Sequence, residues 1–413
     1  MGYSIKVISK DGDFLSLAYR MLLAEHDVDV YLENKSKMYD GILFKVHDIN
    51  ELDIEKDDMV IFDMVGGGRG ADKLKDRGIH VVGGGRLNDD LELYRCSGME
   101  FLEDTGITVP PYSVLYTEEE ARELIESTGE RYVFKPDGNQ STDLTYVATS
   151  PENMIRMLPY LFAKVPEGTP VVLQEFAEGI EMSTEAWFNG DEFMRPINST
   201  MEEKKFMAGD LGPNTGCAGN VVWWWDEDKS EKLYELLFKQ MEPALREARY
   251  MGPLDINCIW TKDGPMGLEL TTRFGYDAIQ AASRLIDMEF GEFLYKLPQT
   301  NMIPTTSDKY ALAIRVSIPP YPNDGEVPEV PIGGVPEEFE DNVYLSDVFS
   351  DPYGLSCAGT DGYVCAVADT GHQISKIQER VVNIIDRLEI PSKQYRIDVG
   401  DRVSGDKALI LRV

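Results

Sequence analysis

Apolar and polar residues follow two alternating patterns over the first 90 positions. Short apolar runs predict buried strands at "SIKVIS", "VDVYLE", "DMVIFDMV" and "IHVVGGG", each followed by a polar or glycine-rich turn. Between the first two strands, "FLSLAYRMLLAEH" carries the apolar spacing of an amphipathic helix. This order predicts a parallel α/β domain over residues 1–90, in which ligands gather at the carboxyl ends of the strands.

The next segment, residues 91–305, mixes strands and helices. Thr117 followed by Glu120 in "TEEEARELI" is the capping-box signature of a helix start. We expect strands at "YVFKP", "VVLQEF", "MSTEAWFNG", "LDINCIWT" and "MGLELTT", and one long helix over "SEKLYELLFKQMEPALREARY". Residues 306–413, with "YALAIRVS", "GYVCAVADTG" and "QISKIQERVVNIIDRL", predict a closing α+β module. The "WWWD" run that begins at Trp223 is expected to pack against the helix that follows it.

One stretch, "GDLGPNTGCAG" from Gly209 to Gly219, fits neither pattern. It holds four glycines, a proline and an asparagine with no apolar period. We expect a glycine loop there, because glycine lets the backbone approach a ligand closely.

The overall composition is acidic. The chain has 413 residues and a formal net charge of −33, which argues against partners bound through phosphates, such as nucleic acids, and against anionic membranes. Five scattered cysteines form no CxxC pair, so neither a disulfide framework nor a zinc site is indicated. Without an apolar leader or spanning run, the sequence predicts a soluble, cytoplasmic protein.

Three segments carry candidate chemistry. Lys135 ends a predicted strand, where it could grip nucleotide phosphates or simply face solvent. In "LQEFAEGIE", Gln174, Glu175 and Glu181 could meet an adenine edge and ribose hydroxyls, or form an acidic, solvated turn.

In the third segment, "GLELTTRFG", residues Glu269, Thr271 and Arg273 share one face of a strand by period 2. Carboxylate and hydroxyl oxygens suit Mg²⁺, and an arginine suits a transferring phosphoryl group. A salt bridge between Glu269 and Arg273 is the structural alternative.

The order of these segments resembles that of the ATP-grasp ligases, and more narrowly that of the glycinamide ribonucleotide synthetase (phosphoribosylamine–glycine ligase) family. "GPNTGCAG" is similar to the family's GPNTGGMG, and "LELTTRFGYDA" to its LEFNxRFGDPE. "QEFAEGIE", "KPDG" and the "EKK" at residues 203–205 correspond to EEFLDGEE, KADG and HKR, and the tail "YRIDVG" to YRxDIG. The resemblance covers nearly the whole chain.

The resemblance implies an amino-terminal pre-ATP-grasp domain, a central ATP-grasp domain and a purine-pathway type of reaction. A carboxylate attacks the γ-phosphate of ATP to give an acyl phosphate, which an amine captures as an amide. Carried over position by position, the resemblance implies that Lys135 binds the ATP phosphates, that Gln174 and the Glu175 to Ala177 backbone bind adenine, and that Glu181 binds the ribose. It further implies that Glu269 binds Mg²⁺ or Mn²⁺ and that Arg273 stabilises the transferring phosphoryl group. Substrate contacts are implied for Asp210, Asn214 and Thr215.

This chain also departs from the family pattern. The GxGGREH loop that contacts phosphoribosylamine reads "SKDGDFLSLA" here, and Met99 stands where the family has a second ATP lysine, with Arg95 as a possible replacement. Asp143 replaces a loop lysine, which leaves Ser141 and Thr142 as phosphate donors. Thr271 replaces a metal-ligand asparagine, for which Asn257 or Asp255 could compensate.

Two functions are therefore compatible with the sequence. One is an active ligase that joins glycine or another small carboxylate to an amine, which need not be phosphoribosylamine. The protein would act as a monomer or a homodimer. The other is a nucleotide-binding or regulatory protein that keeps the ATP-grasp fold without turnover. The retained Lys135, Glu181, Glu269, Arg273 and glycine stretch favour the ligase.

Overall fold

Five short strands near the amino terminus pair in parallel, as the apolar runs predict. The computed structural model describes residues 2–138, 144–305 and 308–410. The strands are β1 (Ser4–Ser9), β2 (Asp27–Leu32), β3 (Phe44–Val46), β4 (Met59–Phe62) and β5 (His80–Val82), in the sheet order β3-β2-β1-β4-β5. The helices are α1 (Leu15–Leu23), α2 (Gly68–Asp76) and α3 (Arg86–Leu93).

A smaller four-stranded sheet follows, in the order β6-β9-β7-β8. Its elements are α4 (Arg95–Asp104), β6 (Tyr112–Leu115), α5 (Glu118–Thr128), β7 (Tyr132–Pro136), β8 (Tyr146–Val147), α6 (Pro151–Phe162) and β9 (Val171–Glu175). The capping box is confirmed, because the Thr117 hydroxyl accepts from the Glu120 N–H and the Glu120 carboxylate accepts from the Thr117 N–H. Apolar faces of α5 and α6 cover this sheet and form its own core.

An eight-stranded sheet forms the centre of the molecule. Its first five strands are β10 (Ile180–Phe188), β11 (Asn198–Met207), β12 (Leu211–Trp224), β13 (Gly252–Thr261) and β14 (Gly264–Thr271). The helices that accompany them are α7 (Glu227–Leu233), α8 (Glu242–Glu247), α9 (Ala278–Ser283) and α10 (Phe290–Lys296).

The last part of the chain continues the same sheet. It contributes β15 (Tyr310–Ser317), β16 (Pro331–Ile332), β17 (Val343–Leu345), β18 (Val348–Asp351), β19 (Gly354–Cys357), β20 (Tyr363–Gly371), α11 (Ile374–Arg387) and α12 (Val403–Ile410). The order of the large sheet is β14-β13-β10-β11-β12-β15-β20-β17, while β16, β19 and β18 form a small sheet beside it. Backbone pairing of β12 with β15 therefore joins residues on both sides of the predicted boundary at 305/306.

Two expectations about individual elements are wrong. Most of the glycine stretch is strand, because residues 211–219 belong to β12 and are held to β11 at Leu211, Asn214 and Gly219, which needs backbone groups and no particular side chain. The long helix is broken: α7 gives way to a π-helical segment (Tyr234–Phe238) and a 3-10 turn (Lys239–Met241) before α8 begins. Pro243 explains the break, because proline cannot donate to the preceding turn and its ring clashes with it.

The tryptophan run packs as expected. Trp223 and Trp224 point to opposite faces of β12, into two different apolar clusters, and Trp225 joins Trp223 in a cluster with the α7 and α8 region. All three indoles are buried. Among the helices in the described ranges, none has both the length and the apolar character needed to cross a membrane.

Candidate active site

Lys135 lies inside the molecule at the end of β7. It is 8% exposed, and its ammonium donates a 2.9 Å hydrogen bond to Gln174 Oε1 on the neighbouring strand β9. Burial lowers the pKa of Lys135 to about 8, although the Glu269 carboxylate opposes this shift. The solvent-facing alternative for this lysine is therefore wrong.

Arg95, at the start of α4, pairs with Glu269 of β14. Its Nη1 lies 2.6 Å from Glu269 Oε2, and its Nε donates to the Pro136 carbonyl at 3.2 Å. Burial alone would raise the pKa of Glu269, but Arg95, Lys135 and Lys204 hold it well below its usual range. Arg95 thus brings a cation to the pocket in which Met99 is buried, with its sulfur 3.9 Å from Gln174 Nε2.

A second ion pair closes the cluster. The ammonium of Lys204, on β11, donates to Glu181 Oε1 on β10 at 2.8 Å. The Lys204 charge lowers the pKa of Glu181, and the Glu181 and Glu202 carboxylates raise that of Lys204 against the effect of burial. Lys204 was not among the predicted site residues. Its signal was the "EKK" segment, which matched a family motif without being given a role.

The predicted metal ligands lie on β14, an edge strand of the large sheet, and on its neighbour β13. Asn257 of β13 is the cross-strand partner of Glu269, and its Nδ2 lies 3.4 Å from Glu269 Oε1. Thr271 pairs in the same ladder with Asp255, whose Oδ1 is buried without a hydrogen-bond partner. Within the described residues, no three His, Cys, Asp or Glu side chains form a metal-binding group on their own.

Arg273 follows the end of β14 and does not pair with Glu269, so that structural alternative is wrong. Its Nε donates to Glu92 Oε1 of α3 at 2.8 Å, and its guanidinium lies 4.3 Å from the centre of the Tyr276 ring. Glu92 also accepts from the Thr272 N–H at 2.8 Å. The sequence did not single out Glu92, because it lies 181 positions from Arg273 in the chain.

The substrate residues predicted from the glycine stretch lie on the β11–β12 hairpin. Thr215 donates from its hydroxyl to the Lys204 carbonyl at 3.0 Å, and Asn214 pairs with Lys205 across the ladder. Asp210 sits at the exposed turn with a positive φ of 56° and binds Arg396 at 3.1 Å. Thr215 thus contacts the backbone of Lys204, whereas Asp210 is at the hairpin tip.

Two further predictions concern the connection between β9 and β10 and the segment from Ser141 to Asp143. The Glu175 and Phe176 N–H groups already donate to the Pro111 and Arg131 carbonyls, and Ala177 lies in the short connection to β10. Ser141, Thr142 and Asp143, the predicted phosphate loop, lie outside the described residues.

Carboxyl groups of the amino-terminal segment interact electrostatically with Arg273. Asp63, at the end of β4, is buried and accepts from the Phe14 N–H at 3.0 Å, and the Phe14 ring lies 4.7 Å from that of Phe274. Burial raises the pKa of Asp13 to about 6, and the Arg273 charge opposes this shift. This region contains the "SKDGDF" segment that departs from the family pattern.

A second arginine in this region, Arg315, has its charge neutralised. It is 8% exposed and donates to Asp277 Oδ2 and to the Tyr321 hydroxyl, both at 2.9 Å. The Tyr363 hydroxyl donates to the other oxygen of Asp277. Glu92 and Asp277 thus pair with the two arginines, and burial raises the pKa of the neighbouring Asp63 to about 7, which favours the protonated form of that carboxyl group.

Comparisons with known proteins agree with this architecture. Residues 96–278 match the family model described as "Phosphoribosylglycinamide synthetase, ATP-grasp (A) domain". The chain is 23% identical over 346 residues to a phosphoribosylamine–glycine ligase of Halalkalibacterium halodurans, covering 82% of this chain and 80% of that one. It is 25% identical over 392 residues to the ligase of that name from Streptococcus pneumoniae, covering 91% and 89%.

A solved structure extends the likeness to the fold. The crystal structure of phosphoribosylamine–glycine ligase from Thermotoga maritima superposes with a TM-score of 0.77 at 22% identity, over 96% of this chain and 100% of that one. The predicted fold class, with a parallel amino-terminal sheet and an ATP-grasp domain, is therefore confirmed. These comparisons agree with the recognition and the enzyme class predicted from the motifs: residues 96–278 match the ATP-grasp domain of the phosphoribosylglycinamide synthetases, and the curated relatives that align over most of the chain are named as ligases.

Proposed function

We propose that this protein is an ATP-dependent carboxylate–amine ligase whose amine site differs from that of its relatives. The observation that carries the proposal is the convergence of three cations, Arg95, Lys135 and Lys204, on the Glu269 carboxylate. They come from three separate elements, α4, β7 and β11, and a polyphosphate with its cation needs this mixture of charges. The alternative, a nucleotide-binding protein without turnover, is not favoured, because the chain has the motifs of the ligases as well as the charged cluster.

The reaction has two balanced steps. A carboxylate oxygen of the first substrate attacks the γ-phosphorus of ATP, the bond to the β-phosphate oxygen breaks, and ADP leaves. The amine nitrogen then attacks the acyl carbon, the acyl–phosphate bond breaks, and the amine loses a proton as the amide and inorganic phosphate form. In this scheme Lys135 and Arg95 bind the phosphates, and Arg273 lies where charge develops on the transferring group.

Glu269 and Asn257 suit a magnesium ion. Their oxygens are hard donors, and Mg²⁺ in phosphoryl-transfer sites commonly takes one or two carboxylates with substrate phosphates completing its shell. A site with few protein ligands therefore fits the residues present. The ion, Mg²⁺ or Mn²⁺, would neutralise charge between phosphate oxygens when bound.

The amine site favours an amine that carries no phosphate. Around Arg273 the segment "SKDGDF" supplies Asp11 and Asp13, and Asp63 lies behind them. A phosphate ester placed there would meet Asp11 and Asp13 together with a single cation of that segment, Lys10, and the carboxylates would oppose its binding. The small carboxylate substrate, glycine or a similar acid, would bind on the Thr215 side of the site. A cytoplasmic location and a monomeric or homodimeric state stay predictions.

The test separates the two steps. Hydroxylamine captures acyl phosphates without any specific amine, so MgATP, hydroxylamine and each of a panel of amino acids including glycine are mixed with the protein, and ADP and hydroxamate are measured. We then replace hydroxylamine with phosphoribosylamine generated in solution or with unphosphorylated amines. The controls are the Lys135→Ala variant, which should be inactive, and Arg387→Lys, a surface change that should not matter.

Hydroxamate formed with one carboxylate, together with amide formed only from unphosphorylated amines, supports the proposal in full. Preference for phosphoribosylamine would leave the ligase activity standing and contradict the altered amine site. MgATP binding without hydroxamate from any carboxylate would overturn the ligase proposal in favour of a nucleotide-binding protein.

A further inference from the structure

The carboxyl-terminal tail reaches back to the β11–β12 hairpin. Arg396, 4% exposed, donates from Nη1 to the Lys205 carbonyl at 3.0 Å and from Nη2 to Asp210 Oδ1 at 3.1 Å. The same nitrogen lies 3.1 Å from Glu203 Oε2. One guanidinium group therefore contacts the last part of β11 and the turn that follows it.

Two more tail residues complete this contact. Asp398 accepts from Arg396 Nε at 2.6 Å through one oxygen and from the Gly209 N–H at 2.8 Å through the other. Arg402 donates to the Glu202 carbonyl at 2.8 Å and to Glu203 Oε1 at 3.2 Å. Tail side chains thus hold the hairpin backbone at residues 202, 205 and 209.

The hairpin needs such support where it carries Lys204. The register between its strands shifts between Glu203 and Lys205 and again between Lys205 and Met207, so the regular ladder is interrupted on both sides. The residues from Met207 to Asn214 are exposed. Pairing between the strands alone therefore constrains this segment weakly.

We propose that Arg396 and Asp398 are positioning residues that fix the β11–β12 hairpin and thereby hold the Lys204 ammonium against Glu181 in the nucleotide site. The inference rests on the proposed function where it concerns ATP, whereas the fixing of the hairpin does not depend on it. The tail is far from the site in sequence and touches it through this hairpin.

The geometry also explains why arginine is needed at position 396. The planar guanidinium presents five donors in fixed directions, which serve a carbonyl and three carboxylates at once. A lysine keeps the charge but has one nitrogen, so it cannot reach both the Lys205 carbonyl and Asp398 from one place. Replacing Arg396 with lysine therefore removes hydrogen bonds to the hairpin while it keeps the positive charge.

The test compares Arg396→Lys and Asp398→Asn with Arg387→Lys, whose arginine forms an exposed ion pair with Glu338 on the same module. Trypsin cleavage after Lys204 or Lys205 reports hairpin opening in the free protein. MgATP affinity is measured by calorimetry, and thermal unfolding shows which variants are folded. Asp398→Asn retains the buried Arg396 with its Glu203 partner, so it serves if Arg396→Lys does not fold.

We expect both tail variants to be cleaved about tenfold faster and to bind MgATP about tenfold more weakly, while Arg387→Lys behaves as the parent protein. Millimolar guanidinium should partly restore MgATP affinity to an Arg396→Ala variant. An unchanged rate of trypsin cleavage in the tail variants would overturn the proposal. Faster cleavage with unchanged MgATP affinity would show that fixing the hairpin does not place Lys204 for nucleotide binding. If the parent protein binds no MgATP, the proposed function fails, while cleavage still decides whether the tail fixes the hairpin.

Discussion

The buried Lys135 ammonium loses its proton at a lower pH than an exposed lysine does, so ligand binding at this site should depend on pH. Burial lowers its pKa from the ordinary 10.5 to about 8. ATP phosphates bind the protonated amine, so MgATP affinity should be highest below pH 8 and fall as the pH rises through that value. Calorimetry between about pH 6.5 and 9.5 measures this fall.

The matched control for this pH profile is Lys135→Met, which should bind MgATP more weakly at every pH and lose the decline above pH 8. A decline of equal size in this variant would assign the titrating group to another residue.

Glu269 is the residue at which the positive charges of the site converge. Glu269→Gln keeps the size of the side chain but removes the charge that pairs with Arg95. We expect the variant to fold and its Mg²⁺-dependent ADP release to fall about a hundredfold or more. A Mg²⁺ titration of turnover checks this, with the exposed Glu178→Gln as the control. Normal Mg²⁺ dependence in Glu269→Gln would place the metal elsewhere.

At the scale of single elements, β10 contains a buried carboxylate that should couple stability to pH. Glu185 accepts from Asn198 Nδ2 at 2.9 Å and Trp187 Nε1 at 3.2 Å, and burial raises its pKa to about 7. The folded state therefore holds a proton that the unfolded chain releases near pH 4.5. The stability from this group is complete below that pH and is lost as the pH rises through 7.

Glu185→Gln removes this titration while keeping an acceptor for both donors. We expect its melting temperature to match that of the parent protein near pH 5 and to exceed it by a few degrees, on the order of 1 kcal/mol, at pH 8. Thermal unfolding at the two pH values measures the difference. An equal difference in melting temperature between the variant and the parent protein at pH 5 and at pH 8 would mean that Glu185 does not titrate in this range.

Secondary-structure elements differ in how well their local sequence predicts them. The start of α5 was predictable because Thr117 and Glu120 satisfy each other's N–H groups within one turn. The strand over residues 211–219 was not, because its hydrogen bonds go to β11 and, from Gly219 onward, to β15. Glycine and proline content predicts a loop when that partner strand is unknown.

At the scale of the whole molecule, the closing segment does not stand apart from the centre. β15 pairs with β12 from Tyr310 to Ile314, and one apolar cluster contains residues of β12, β15 and α11. A chain ending at residue 305 would expose the edge of β12 and half of that cluster. We expect it to aggregate or to unfold without a cooperative transition.

Calorimetry and size-exclusion chromatography of the 1–305 chain test this expectation. Supplying residues 306–413 as a separate chain in the same cells should restore a soluble complex, since the missing strand can pair from outside. A truncated chain that melts cooperatively by itself would instead support an independent boundary at 305/306.

Residues that act within one segment could be found from the sequence, and those that act across segments could not. Lys135, Gln174, Glu181 and Glu269 were predicted because each sits in a motif with its neighbours. Glu92, which holds Arg273, and Lys204, which closes the ion-pair cluster, come from other elements. The roles assigned to all of these residues stay predictions until the substitutions are made.

The sequence by itself determined the order of the amino-terminal strands and their parallel sheet, the ATP-grasp recognition and most of the charged residues of the site. These rest on short-range signals, namely side-chain periodicity, capping and motif spacing. Tertiary structure decided which charges pair: Arg95 with Glu269, Lys204 with Glu181, Arg273 with Glu92, and Arg396 with the hairpin. The physical reason is that an ion pair depends on distance in space, and the partners in each of these pairs lie on different segments that only the folded chain brings together.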